Sequence, residues 1–262
     1  MYQPKILFFD IETAPILADV WGLWKNNVSL NQINRDWFML SWAAKWAGED
    51  DIMSDSLPEH GRYIKDKEDD LLICSSLWRL MDEADIIVAH NGNKFDIPKV
   101  NARFLKHGLG PPSPYRKIDT LLEARRYFNF TSNKLEHLGN HLRVGKKMKH
   151  QGHELWTKCI QGDMDAWNTM VKYNRQDIVV LEGVYYKLRP WMQNHPNMGL
   201  YAEEETPVCP KCGGKHHHWR GYAYTAAGKY RRFRCMDCGG WGRSLVLDQP
   251  KEKRKSLLRN VV

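Results

Sequence analysis

Several short, apolar runs that stop at a polar or acidic residue constrain this chain most. Residues 5–10 read KILFFD and residues 86–91 read IIVAHN. A run of that length, too short for a helix and closed by a charge or an amide, fits a strand buried on both faces. Residues 38–46 read as a further strand, and 52–56 as another. Helical spacing predicts helices over 69–83, 97–107, 119–128 and 134–142. A long helix from about Asp163 to Leu188 stops at Pro190, whose missing amide proton ends it. Over 69–83, Ile73, Leu77 and Leu80 fall on a different face from Leu72, Ser76, Arg79 and Glu83. Early strands followed by strands alternating with helices predict an α/β domain.

At 262 residues there is room for one such domain and a small module. The expected boundaries are 1–195 for the large domain, 206–247 for a cysteine module and 248–262 for a basic tail, with a linker around 194–208. Net charge is +8. That excess favours a polyanionic partner, because phosphate contacts release condensed counterions. The first apolar run is too short for a signal peptide and meets Asp10 at once, and no stretch reaches bilayer-spanning length. No membrane role and a cytoplasmic location are expected. The lone cysteines, Cys74 and Cys159, sit in helical-looking segments and read as small buried hydrophobes.

Three places carry candidate chemistry. Asp10 and Glu12 are two apart at a strand end, so both carboxylates share a face. Tyr173 and Asp177 are four apart on the long predicted helix and also share a face. Asp96 lies five residues after the 86–91 strand. If these carboxylates converge, like charges at about 4 Å repel by roughly 4 kcal/mol at an effective dielectric near 20. Hard divalent cations such as Mg²⁺ or Mn²⁺ relieve that repulsion. Each pattern alone has a bland reading: a solvated strand end, a helix face, a loop aspartate.

Together, and in this order, FDIET at 9–13, HNGNKFD at 90–96 and YNRQD at 173–177 resemble the three exonuclease motifs of the DEDD superfamily. The likeness is to its DnaQ-like, YprB-type ribonuclease H-like members and to the proofreading domain of family B DNA polymerases. KIDTL at 117–121 and KLEHLG at 134–139 reinforce it, and it spans about residues 4–190. The resemblance implies a ribonuclease H-like mixed sheet flanked by helices. It implies a 3′–5′ exonuclease that hydrolyses terminal phosphodiesters of single-stranded nucleic acid with two Mg²⁺ or Mn²⁺ ions. By the same resemblance, Asp10 bridges both ions, Glu12 and Asp177 complete the site of the attacking water, and Asp96 serves the second ion. Tyr173 stands where the tyrosine branch keeps its water-orienting residue. Asn91 and Phe95 fall where the family seats the terminal nucleotide. His90 is expected to be structural. Lys94, Arg125, Arg126 and Lys134 are candidates to follow the phosphate backbone, although solvated surface is the simpler reading. His137 and His141, four apart, read as the polar side of a helix.

The C-terminal module carries Cys209/Cys212 and Cys235/Cys238, each pair followed by a glycine, Gly213 and Gly239. Two C-x-x-C pairs about twenty residues apart predict one structural Zn²⁺ held by four thiolates. CPKCGG and YRRFRCMDCGG are similar to zinc ribbons of transposase and transcription-factor type. His216–His218 are not needed, since the cysteines already supply four ligands. Basic residues interleave with rings here, which suits a flexible single strand. Arg231 and Arg232 are the substrate-binding candidates. DNA is favoured as substrate. An RNA exonuclease of the same family is the alternative, and a non-catalytic nucleic-acid-binding adaptor is the rival of another class. A protein partner through the ribbon is a further possibility.

Overall fold

The computed structural model describes residues 4–146, 148, 152–203 and 206–258. Residues Lys5–Tyr185 form one compact unit and those from Tyr186 onward form another.

The first unit opens with strand β1 (Ile6–Thr13). The chain then makes a surface excursion anchored by a two-stranded pairing of β2 (Leu17–Ala18) with β3 (Ile33–Arg35). Trp21 and Trp24 on this excursion are exposed. Strands β4 (Met39–Trp46) and β5 (Met53–Ser56), helix α1 (Leu71–Glu83) and strand β6 (Ile86–Ala89) follow. Next come helix α2 (Asp96–Lys106), strand β7 (Arg116–Asp119), and helices α3 (Thr120–Tyr127), α4 (Leu135–His141), α5 (His153–Gln161) and α6 (Met164–Leu188). The sheet order is β5-β4-β1-β6-β7. β1 pairs antiparallel with β4 and parallel with β6. The result is a mixed five-stranded sheet flanked by helices, a ribonuclease H-like α/β fold.

Alternation along β1 sorts its residues between two layers. Leu7, Phe9 and Ile11 enter a core with Ile73, Leu77 and Met81 of α1 and Val100 and Phe104 of α2. Phe8, Asp10 and Glu12 point to the opposite face, where α6 lies: Phe8 meets Tyr185 edge-on at 5.3 Å. Lys45, paired in register with Phe8, reaches Glu182 of α6 at 2.5 Å. Cys74 and Cys159 are both buried, as expected.

One buried polar tie fixes the helices around the core. Asp70, just before α1, is fully buried and accepts from the Met39 amide at 2.8 Å. The same carboxylate takes a hydrogen bond from the Arg103 guanidinium and meets His107 Nε2 at 2.6 Å. The start of α1, the start of β4 and the C-terminal end of α2 are thereby pinned together.

Three boundaries differ from the sequence expectation. β1 continues past Asp10 to Thr13, because Ile11 is buried and Thr13 still pairs with Met39. Strand β7 precedes the helix predicted at 119, so Asp119 is its N-cap, accepting from the amides of Leu121 and Leu122. Helix α5 was expected only as a helical-looking stretch around Cys159, without bounds.

In the second unit, β8 (His217–Tyr224), β9 (Lys229–Cys235) and β10 (Trp241–Leu247) form an antiparallel sheet with β9 in the middle, and α7 (Lys251–Lys255) follows. The expected linker is not bare. Met198 donates its amide to the Pro210 carbonyl at 2.9 Å, and the Lys211 ammonium bonds the Pro190 carbonyl. The chain after α6 therefore packs against the cysteine module.

Candidate active site

A cavity of about 680 Å³ opens on the α6 side of the sheet. Asp10, Glu12, Asp96, Tyr173 and Asp177 all line it, together with Asn91 and Phe95. Residues separated by up to 167 positions are thus brought to one place by three elements: β1, the start of α2, and the middle of α6.

The local folding of HNGNKFD explains how Asp96 arrives there. Asn91 adopts φ 67°, a left-handed conformation that asparagine tolerates better than most residues. At Gly92 a Cβ would stand 2.5 Å from the Ala89 Cβ, so only glycine fits. The buried Asp119 carboxylate accepts from the Asn91 and Asn93 amides at 3.0 and 3.1 Å, holding the loop to β7. α2 then begins at Asp96, whose Oδ1 accepts from the Ile11 amide at 3.3 Å.

Electrostatics set the protonation states. Burial raises the Asp96 carboxyl to about 7, helped by the nearby Asp119 charge and opposed by the Ile11 amide. Burial, then the carboxylates of Asp177, Glu12 and Asp10, hold the Tyr173 hydroxyl far above its ordinary value. Tyr173 therefore keeps its proton and is hydrogen-bonded to Asp177. A protonated hydroxyl in that position is suited to orienting a water.

Two anchors were not legible as functional residues in the sequence. Asn174, buried beside Tyr173, donates Nδ2 to Asp10 Oδ2 at 2.7 Å and accepts from Ser41 Oγ at 3.3 Å. Trp156 of α5 donates its indole N–H to Glu12 Oε2 at 3.1 Å and packs edge-on against Tyr173 at 6.1 Å. A third is Asp119, noted in the sequence only as part of KIDTL.

The donor set fits hard divalent ions, since four carboxylates line one cavity. Among the described residues, only the four cysteines and the Asp70, Cys74, His107 group have three or more ligand atoms all within 4.8 Å of one another. The cavity carboxylates are spaced more widely than those two groups. The Asp70 group is a poor cation site, because the Arg103 guanidinium already occupies that carboxylate.

Phe95 is exposed by 39% and borders the cavity, so it is not a core residue. His90 is held at both ring nitrogens, by Thr120 Oγ1 at 2.9 Å and the Asn133 carbonyl at 3.0 Å, which is a structural arrangement. Arg125 and Lys134 line the cavity, whereas Lys94 and Arg126 do not. His137 and His141 stack at 5.8 Å and form no metal group with other residues among those described.

In the second unit, the Cys209–Cys238 and Cys212–Cys235 sulfurs are 3.8 and 3.6 Å apart. A tetrahedron with Zn–S bonds of about 2.3 Å has edges of about 3.8 Å. The two knuckles are built alike. Gly213 and Gly239 take φ 73° and 78°, and the amides of Gly214 and Gly240 point at Cys212 and Cys238 Sγ at 3.3 and 3.4 Å. The cluster fits a zinc ribbon. His216 is engaged by Asp237 at 2.7 Å and is not among the clustered zinc ligands. Phe233 is the buried ring of this unit, while Trp219, Tyr222, Tyr224 and Trp241 are exposed. Cations sit over several rings: Arg231 over Trp219, Arg232 over Trp241 and Arg243 over Tyr230, at 5.2, 4.7 and 3.9 Å. Strand alternation sends Arg231 and Arg232 to opposite faces of the ribbon, so they do not share one surface.

A mixed sheet with a carboxylate-lined cavity against its long helix defines a ribonuclease H-like nuclease scaffold. Residues 7–189 match the RNase_H superfamily, more than half of the chain, and the chain belongs to that superfamily. The solved structure of the family B DNA polymerase from the hyperthermophilic archaeon Pyrobaculum calidifontis is similar, with a TM-score of 0.51 and 17% identity. The match covers 72% of this chain and 25% of the polymerase chain, so this chain corresponds to about a quarter of that protein. At such identity the likeness concerns the fold. No curated protein matches the sequence. Membership supports nuclease activity in general, with nucleic acid as substrate and divalent metal as cofactor. Among the described residues, no helix is long and apolar enough to cross a membrane.

Proposed function

We propose that the chain is a 3′–5′ exonuclease acting on single-stranded nucleic acid, DNA in preference to RNA, with a nuclease domain over 1–195 and a zinc ribbon over 206–247. One observation carries the reading: Asp10, Glu12, Asp96, Tyr173 and Asp177 line a single cavity with Asn91 and Phe95 at its border.

Asp10, Glu12, Asp96 and Asp177 would hold two Mg²⁺ or Mn²⁺ ions. Bound there, the ions supply water activation and stabilisation of the leaving oxygen. The chain's own residues do the rest. Asn174 and Trp156 fix the Asp10 and Glu12 carboxylates through the hydrogen bonds described above. Tyr173, kept protonated, orients the attacking water. Phe95 packs on the terminal base and Asn91 bonds its sugar or phosphate. A bond forms between the water oxygen and phosphorus, the P–O3′ bond breaks, the water gives up a proton to solvent while O3′ of the shortened strand takes one up, and a nucleoside 5′-monophosphate leaves.

End-labelled single-stranded DNA and RNA with Mg²⁺ or Mn²⁺ test this directly. The expected result is stepwise loss of mononucleotides from the 3′ end, faster on DNA, and no cleavage by folded Asp10→Ala protein or in excess EDTA. Internal cuts, or equal cleavage by Asp10→Ala, would overturn it.

A further inference from the structure

We propose that a second cleft, on the other side of α6 from the active cavity, binds the phosphodiester backbone of the strand being degraded, a few nucleotides inside its end. This rests on the reading above that the substrate is a single strand. The cleft has a volume of about 660 Å³ and is lined by Lys146, Lys172, Arg175 and Gln176, with Ile52, Met148 and Val179 as apolar wall. Three of these side chains are cationic, and among the described residues no carboxylate lines the cleft.

The cleft is constructed, not a chance scatter of surface lysines. Arg175 Nη1 donates to Ser54 Oγ at 3.1 Å, which ties α6 to β5. Gln176 Nε2 donates to the Lys146 carbonyl at 3.3 Å, which ties α6 to the segment after α4. That segment presses on the helix at Gly145, where a Cβ would meet Val180 Cγ2 at 3.0 Å. Three elements therefore hold the three cations around one opening.

Its position follows from helix geometry. Tyr173 and Asp177 face the active cavity, whereas Lys172, Gln176 and Val179 face the cleft. At 3.6 residues per turn these two faces are about a third of a turn apart on the same stretch of helix. A strand whose end sits beside Tyr173 and Asp177 can pass round α6 and reach the cleft. Phosphates need cations there, and the lysines are exposed to supply them, with little need for base recognition.

The test uses the full chain with Lys146→Glu and Lys172→Glu, both exposed, in an Asp10→Ala background so that substrate survives. Fluorescence anisotropy with a labelled single-stranded 20-mer is read over a salt series. Affinity is expected to fall about tenfold at low salt, with the salt slope shallower by about 1.4, or 0.7 per lost contact. In the active enzyme, the ratio of variant to wild-type KM is expected to grow from a trinucleotide to the 20-mer. Lys65→Glu with Lys106→Glu makes the same charge change elsewhere and is expected to keep the wild-type salt slope. A Lys146/Lys172 variant with the slope and affinity of the Lys65/Lys106 control would overturn the proposal. Loss of nucleolysis in the wild type would instead overturn the exonuclease reading, and the binding series would still decide the cleft.

Discussion

Tyr173 and Asp96 are both buried beside other charges, and burial favours the protonated form of both, with different consequences. At Tyr173 it locks a proton on, which makes the hydroxyl a fixed donor. Tyr173→Phe is therefore expected to slow single-turnover cleavage by roughly tenfold to a hundredfold. The metal concentration for half-maximal activity is expected to stay nearly unchanged. A Tyr173→Phe enzyme with wild-type single-turnover rate would make the ring a packing residue only. At Asp96 burial raises the carboxyl to about 7, above its ordinary 3.8. A raised folded-state value contributes stability that is present at low pH and lost as pH rises through 7. The metal-free protein is thus penalised above neutrality, and a cation beside Asp96 removes the penalty. Mg²⁺ or Mn²⁺ is expected to raise Tm more at pH 8 than at pH 6. Asp96→Asn is expected to stabilise the metal-free protein at pH 8 while abolishing activity. Equal metal-induced Tm shifts at the two pH values would sink this account.

At the scale of elements, what was legible in the sequence depended on local pattern. The apolar runs at 5–10 and 86–91 announced their strands, and helix α6 was readable from its spacing and from Pro190. The four-residue strand β7 buries only Ile118 and Asp119, which is too little pattern to register. Helix α5 looked helical around Cys159, but the basic, unpatterned stretch before it hid its bounds. Asn174 and Trp156 hid for another reason: the partner of Asn174 lies 164 residues away and that of Trp156 lies 144 away. No local window records such a bond. α5 matters because its Trp156 steadies a proposed metal ligand. Trp156→Phe keeps the ring against Tyr173 but removes the hydrogen bond to Glu12. Outer partners of metal ligands typically contribute about 10- to 100-fold in metal affinity or activity. The expected outcome is a raised metal requirement with little change in Tm. The tie between α1, α2 and β4 predicts the converse. Arg103→Ala takes the guanidinium from the buried Asp70 and leaves it only the Met39 amide and His107, at a cost of up to about 3–5 kcal/mol. It should lower stability to urea markedly without altering the metal requirement of the protein that remains folded.

For the molecule as a whole, the question is why a unit that contributes no carboxylate to the cavity is present. Every proposed catalytic group lies within Lys5–Tyr185, and the ribbon lies in the other unit. The ribbon's outward chemistry is that of a holding device. Cross-strand register sets Arg243 opposite Arg232 and Trp241 opposite Arg234, so these four share one face. Phe233, the buried ring, points to the other. A face of arginines and an exposed ring suits stacking and phosphate contact on a single strand. Tethered to a nuclease, such a face raises the local concentration of substrate without new catalytic contacts. Four thiolates around one Zn²⁺ supply much of the stability of a module this small, so Cys235→Ser should unfold it. The Cys235→Ser protein is then expected to bind long single strands more weakly, with a shallower salt slope, while cleaving short oligonucleotides at saturating concentration. Arg232→Glu with Arg243→Glu should weaken long-strand binding similarly and leave the ribbon folded, which near-ultraviolet circular dichroism can check. If both variants bind long strands as tightly as the intact chain, that face does not hold nucleic acid, and a protein partner becomes the better assignment for the ribbon.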